Sequence, residues 1–279
     1  MEAKGHDRKM LVCLLEFFGT AIWIFGLISS NNPLSYPFSL FASIVIFGDI
    51  TGGHFNPAVT LGVFVQLGDY GSNFLFMIMI MLSQFAGGFA AMGFTWLGAF
   101  DLPDDMLQML APANPITGSA DNGADANDFS MYIAVLTNEI VCTFLFVSVI
   151  LMVKGKHTAD GRGGVYAAIC VVVTLLCVIS GTNKLGACFN PAVATGLTTY
   201  SIIRITPLLD EATPSASNYF LYAYLWCYMV GPWIGGALAG LFHMFHRTHH
   251  EDEILEHQTT NTHGMHTDHA EGLLNKNND

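Results

Sequence analysis

The tripeptide Asn-Pro-Ala stands twice in this chain, at Asn56-Pro57-Ala58 and at Asn190-Pro191-Ala192, and the residues around the two copies keep step. Laid on the asparagines, Gly52, Phe55 and Val59 recur as Gly186, Phe189 and Val193. Gly53 meets another small residue in Ala187, His54 meets Cys188, and Gly62 falls on Gly196. One such tripeptide is noise, but two in matched frames report an internal repeat. The match extends upstream. Leu15-Glu16-Phe17-Phe18-Gly19-Thr20 has a counterpart in Asn138-Glu139-Ile140-Val141-Cys142-Thr143, each with a Glu four residues before a Thr.

The repeat sits in strongly apolar sequence. Residues are 52% hydrophobic and 11% charged, where a soluble domain carries about a quarter charged residues. Apolar blocks near the length that crosses a bilayer, roughly 20 residues, lie at about 10–30, 34–50, 72–99, 129–153, 164–182 and 217–245. The first could pass for a signal peptide. It contains Glu16 and no small-residue cleavage site follows, so it is read as a span. Two further apolar stretches, 56–66 and 190–200, are too short to span and each begins at Asn-Pro-Ala. Asn favours the cap position, and Pro in the first turn loses nothing because its missing N–H would be unpaired there. Both stretches are therefore expected to be helices that start partway across the membrane.

Charge sets the expected orientation. Lys4, Arg8, Lys9, Lys154, Lys156, Arg162, Arg247 and Lys276 fall on one side of a six-span arrangement, with Lys184 and Arg204 opposite. The positive-inside rule then puts both termini in the cytoplasm. Asp101, Asp104, Asp105, Asp121, Asp125 and Asp128 crowd one long loop on the other face and contribute to a net charge of −12. This acidity argues against nucleic acid as a partner. All six cysteines (13, 142, 170, 177, 188 and 227) lie in or beside apolar segments, so no disulfide framework is expected.

Three spans per half is an odd number, so the second half must enter the membrane from the opposite face. That is an inverted-topology repeat, whose axis lies in the membrane plane. Half-helices entering from opposite faces meet near the midplane with their N-termini pointing at each other. Irregular backbone at that depth is tolerable only where it is buried in protein or lines a wet cavity. Carbonyls of 52–55 and 186–189 would offer acceptors along a narrow path, and Asn56 and Asn190 would offer donors at its centre. Each helix N-terminus carries about half a positive charge, so protons and cations would be repelled while neutral dipolar molecules pass.

With these residues the chain resembles the major intrinsic protein family, the aquaporins and aquaglyceroporins, over roughly residues 10–246. Ser83-Gln84 before Gly87-Gly88 and Gly231-Pro232 in the last span add to the likeness. The resemblance implies an all-α membrane protein of six transmembrane helices plus two re-entrant half-helices. It also implies a pore in every subunit, assembly as a homotetramer, and selectivity by diameter, lining donors and electrostatic barriers. Glu16 and Glu139 would accept hydrogen bonds from the re-entrant loops and support them, which suits carboxylates otherwise costly inside a span. No enzymatic activity, cofactor or metal is expected, because the spans hold no nucleophile–base set and no cluster of metal ligands.

Most members of the family have Arg directly after the second Asn-Pro-Ala, at the narrowest constriction. Here that residue is Val193. By the same frame the other constriction positions are Tyr36, Val178 and Ala187, with Phe38 replacing Tyr36 if the register slips. Such a ring resembles that of some plant vacuolar-membrane aquaporins, and its small residues favour a pore for water plus a small neutral solute: urea, ammonia, hydrogen peroxide or glycerol. Ala194, where glycerol conductors generally have Asp, favours the water-channel branch. His54 would line a pore mouth, Asp49 would stand near it, and Cys188 is a candidate target for mercurials.

Residues 1–9 are expected to form a cytoplasmic N-terminus, 10–246 the channel, with repeats at about 10–99 and 129–246, and 247–279 a tail. The tail scatters His249, His250, His257, His263, His266 and His269 among acidic residues and matches no tight zinc spacing, so an unfolded segment without a ligand is expected. The expected partners are water, small neutral solutes and the lipid bilayer, in a plasma or an intracellular membrane. Two rivals carry the same pattern: an ion- or proton-coupled transporter, which also uses inverted repeats and broken helices, and a poorly conducting regulatory membrane protein.

Overall fold

Why a chain this apolar breaks two of its helices at mid-depth becomes clear from how the segments pack. A computed structural model describes residues 2–30, 32, 34–98, 129–153, 163–181, 188–200, 203 and 225–247. Eight helices are present among them: α1 (Glu2–Ile28), α2 (Ser35–Thr51), α3 (Pro57–Leu67), α4 (Tyr70–Gly98), α5 (Phe129–Val153), α6 (Gly163–Gly181), α7 (Pro191–Tyr200) and α8 (Leu225–Arg247). No strand occurs among the described residues. The acidic loop, the basic residues at 154, 156, 162, 184 and 204, Ala187 and the His-rich tail lie outside them.

Helices α1, α4, α5 and α8 are long and apolar enough to cross a membrane. α2 has 17 residues and α6 has 19, about 26 and 29 Å at 1.5 Å per residue, close to the roughly 30 Å of a hydrocarbon core. The sixth span was expected from 217, and its described part begins at Leu225. Polarity is inverted relative to a soluble protein. Ile46, Leu75, Leu82, Phe94 and Ile169 lie on the outside, while Glu16, Asn56, Gln84, Glu139 and Asn190 are fully buried. An apolar belt around a polar interior is the arrangement lipid imposes.

Local chemistry stops α2. Gly52 takes a left-handed conformation (φ 86°) and its N–H closes on the Gly48 carbonyl at 2.9 Å. Gly53 follows with φ 60° and donates to Thr51 Oγ1 at 2.8 Å. Three residues later Asn56 is extended (φ −154°, ψ 120°), and its side-chain oxygen caps α3 through the Ala58 N–H at 2.8 Å. Pro57 occupies the first helical position, where its missing donor costs nothing. α7 starts in the same way: Asn190 Oδ1 accepts from Ala192 N–H at 2.9 Å, ahead of Pro191.

The two halves interlock. α1 packs against α2 and α4, and α5 against α6. Each half-helix, however, is also cradled by the third span of the other half. A Cβ at Gly88 of α4 would stand 3.1 Å from the Ala192 carbonyl oxygen of α7, and one at Gly236 of α8 would fall on the Ala58 carbonyl oxygen of α3. The preceding glycines match too, Gly87 lying on the Phe17 carbonyl and Gly235 on that of Ile140. Small residues let helix backbones approach this closely in membranes. Gly235-Gly236 is thus the structural counterpart of Gly87-Gly88, although the sequence around the two pairs is not alike.

Candidate functional site: a pore built by two half-helices

The centre of the molecule is made by six residues around an approximate two-fold relation. Asn56 Oδ1 and Asn190 Oδ1 are committed to capping α3 and α7, so each carboxamide must turn its nitrogen away from its own helix. Asn56 Nδ2 donates to the Phe189 carbonyl at 2.7 Å, and Asn190 Nδ2 donates to the Phe55 carbonyl at 3.0 Å. The two halves are therefore joined at the N-termini of their half-helices by crossed bonds. Each amide nitrogen has a second hydrogen that these bonds leave unused.

Phe55 and Phe189 carry the strain of this junction. Both have positive φ, 47° and 55°, a region that a bulky residue avoids at a cost of about 1–3 kcal/mol. Each is held from two sides. Phe55 N–H donates to Glu16 Oε2 at 2.7 Å and Phe189 N–H to Glu139 Oε2 at 2.8 Å, while their carbonyls receive the asparagines. The preceding amides complete the clamp: His54 N–H to Glu16 Oε1 at 3.0 Å, and Cys188 N–H to Glu139 Oε1 at 2.9 Å. Their carbonyls, expected to be acceptors along the path, are instead held by the asparagines of the opposite half, and only the identity of the two phenylalanines in both copies of the repeat hints at their shared conformation.

The first half adds side chains that the second lacks. Gln84 Nε2 donates to Glu16 Oε2 and to Thr60 Oγ1, both at 2.8 Å, and His54 Nδ1 lies 3.2 Å from Thr60 Oγ1. His54 is thereby tied through Thr60 and Gln84 to the buried Glu16. In the other half the frames of His54 and Thr60 hold Cys188 and Ala194, and Glu139 accepts from backbone N–H groups.

Tyr36, Val178 and Val193 join one buried cluster together with Cys188 and Phe189. Between the two candidates for the α2 position, Tyr36 is 3% exposed and Phe38 is 56% exposed, so Tyr36 faces inward. Its ring stacks on Trp23 (centroids 5.0 Å apart, 17° between planes), and its hydroxyl donates to the Cys188 carbonyl at 2.7 Å. Cys188 is 6% exposed, with Sγ 3.1 Å from the Asn190 carbonyl oxygen. Asp49 is exposed at the end of α2. No group of three or more His, Cys, Asp or Glu is placed to hold a metal among the described residues.

Known proteins resemble this arrangement in sequence and in fold. The family described as Major intrinsic protein matches residues 30–243. Aquaporin-1 of Gibberella zeae is 28% identical over 262 residues, covering 89% of this chain and 67% of the relative. A probable aquaporin of TIP type from Medicago truncatula is 28% identical over 272 residues (88% and 91%), and Aquaporin-8 of Mus musculus is 27% identical over 249 residues (85% and 82%). Among solved structures, the aquaglyceroporin from Plasmodium falciparum shares the fold with a TM-score of 0.53 at 16% identity, over 85% of this chain and 96% of that one.

Proposed function

The chain belongs to the major intrinsic protein family and is a passive membrane channel, not an enzyme; on that footing we propose that it conducts water with at least one small neutral solute among urea, ammonia, hydrogen peroxide and glycerol. The observation that carries this reading is the crossed pair Asn56–Phe189 and Asn190–Phe55, which sets two helix N-termini against each other inside the bundle. Two facing partial positive charges, each about half a unit, oppose a cation or hydronium ion there. A neutral dipole meets only hydrogen-bonding groups. The unused amide hydrogens of Asn56 and Asn190 serve the passing molecule, and Tyr36, Val178, Ala187 and Val193 form the constriction.

The buried carboxylates favour a channel over a coupled carrier. Both oxygens of Glu16 and of Glu139 accept backbone N–H groups of the re-entrant loops, so they are committed to shape rather than to a migrating ion. His54 lines the mouth beside Asn56, both termini lie in the cytoplasm, and four subunits assemble, each around its own pore. The channel comprises residues 10–246, followed by the polar tail.

The experiment is a solute panel. Liposomes containing the purified chain are mixed with isotonic inward gradients of each of the four solutes, with Val193→Arg in parallel. Entry of at least one solute well above that into empty liposomes, reduced by the arginine, is expected. Rapid water flux with no solute entering faster than into empty liposomes would confine the pore to water.

A further inference from the structure

In the described part of the second re-entrant segment, every carbonyl has already given an acceptor site to the protein. Its carbonyls at 188, 189 and 190 are each engaged by the protein: Cys188 by the Tyr36 hydroxyl, Phe189 by Asn56, and Asn190 by the Ala194 N–H at 3.0 Å. The last two have counterparts in the first half, where Asn190 holds the Phe55 carbonyl and Thr60 N–H the Asn56 carbonyl. The Tyr36–Cys188 bond has no second phenol to match it in the repeat. The residue twenty positions before Asn190, in the frame that Tyr36 holds before Asn56, is Cys170.

Tyr36 cannot easily release that carbonyl. Trp23, 1% exposed, stacks on its ring, and Trp23 Nε1 donates to the Tyr36 backbone carbonyl at 2.9 Å. Ser39 Oγ approaches the same carbonyl at 3.1 Å. Val178 and Val193, in the same buried cluster, bring no polar group. A solute arriving here finds apolar walls and an acceptor that has already given one of its two lone pairs to Tyr36.

Resting on the channel reading above, we infer that the Tyr36 hydroxyl is a specificity latch, which by taking one of the two acceptor sites of the Cys188 carbonyl sorts water and comparably small molecules such as ammonia from urea and glycerol, which need more partners at once. Urea and glycerol must shed several water partners at once to enter, and a polar group stripped of partners is penalised unless the wall replaces them. Water and ammonia need fewer replacements and keep contact with neighbours in file. The latch therefore does by hydrogen bonding what the missing arginine at 193 does not do by bulk.

The test uses the full chain in liposomes, comparing wild type, Tyr36→Phe and Trp23→Phe, and reads the ratio of urea to water permeability in the same vesicles, with glycerol as a second solute. Tyr36→Phe removes one oxygen and frees the carbonyl, so the ratio is expected to rise about two- to tenfold, the range of one net hydrogen bond. Trp23→Phe keeps an aromatic face, loosens the anchor, and is expected to raise the ratio less. An unchanged ratio in Tyr36→Phe, with wild-type water flux intact, overturns the latch, and so does a wild type that passes urea as readily as the phenylalanine variant. If Tyr36→Phe does not fold, an unchanged ratio in Trp23→Phe overturns it. Absence of water flux in the wild type fails the channel reading itself, and the latch with it.

Discussion

Removing the Glu139 carboxylate tests how the re-entrant loop is held. Glu139 is fully buried and accepts two backbone N–H groups, from Cys188 at 2.9 Å and Phe189 at 2.8 Å. Glu139→Ala leaves both donors without an acceptor. A buried donor stripped of its partner costs about 1–3 kcal/mol, so the pair costs about 2–6 kcal/mol. The left-handed Phe189 then has lost one of its two restraints, and its strain of about 1–3 kcal/mol is released by letting the segment relax. Relaxation moves the Phe189 carbonyl from Asn56 Nδ2, so stability and conduction should fall together. Glu139→Gln keeps one acceptor oxygen and should lose about half as much. Glu16→Ala should be at least as damaging as Glu139→Ala, because Glu16 also accepts from Gln84. Equilibrium unfolding in mixed detergent micelles, with water flux measured on the refolded protein, reads both quantities. A Glu139→Ala variant that unfolds at the wild-type detergent fraction and conducts normally would refute the clamp.

Three further outcomes follow from the same geometry. Gly236→Ala drives a methyl into the Ala58 carbonyl, and Gly88→Ala places one 3.1 Å from that of Ala192. Detergent unfolding should rank Gly236→Ala as the more destabilising, with Gly93→Ala, which meets nothing within 4 Å, within about 1 kcal/mol of wild type. Asn56→Asp preserves the cap but sets an anionic oxygen against the Phe189 carbonyl and offsets the facing dipoles. A pH-sensitive dye inside liposomes should then report faster proton or cation entry than in wild type. Mercurial inhibition of water flux should be slow, because the Cys188 thiol is buried beside the Asn190 carbonyl, and Cys188→Ser should abolish it; undiminished inhibition would move the target to another cysteine.

Much of the architecture can be read from one-dimensional signals. The two Asn-Pro-Ala copies announce half-helices because cap and first-turn preferences are local, and α3 and α7 begin where that chemistry places them. Glu16 and Glu139 stand out because an acid in an apolar run needs a compensating donor, and the nearest unpaired donors belong to the irregular segments. What stayed hidden depends on which half touches which. Phe55 and Phe189 look like ordinary core residues, and their positive φ follows only from being pulled by a carboxylate on one side and the opposite asparagine on the other. Gly235-Gly236 pairs with Gly87-Gly88 through contacts to the other half's short helix, a relation that spacing alone does not encode. The Tyr36–Cys188 bond joins residues 152 positions apart, and nothing near either one signals it.

The proposed neutral, proton-excluding path between the two half-helix N-termini is reached directly by one stopped-flow experiment. Liposomes containing the wild-type chain and a pH-sensitive dye are exposed first to an osmotic gradient and then to a pH gradient. The predicted result is water efflux far faster than from empty liposomes, with a weak temperature dependence, alongside proton entry no faster than in the empty controls. Water flux at the empty-liposome rate, or proton entry rising with the amount of protein, would contradict it.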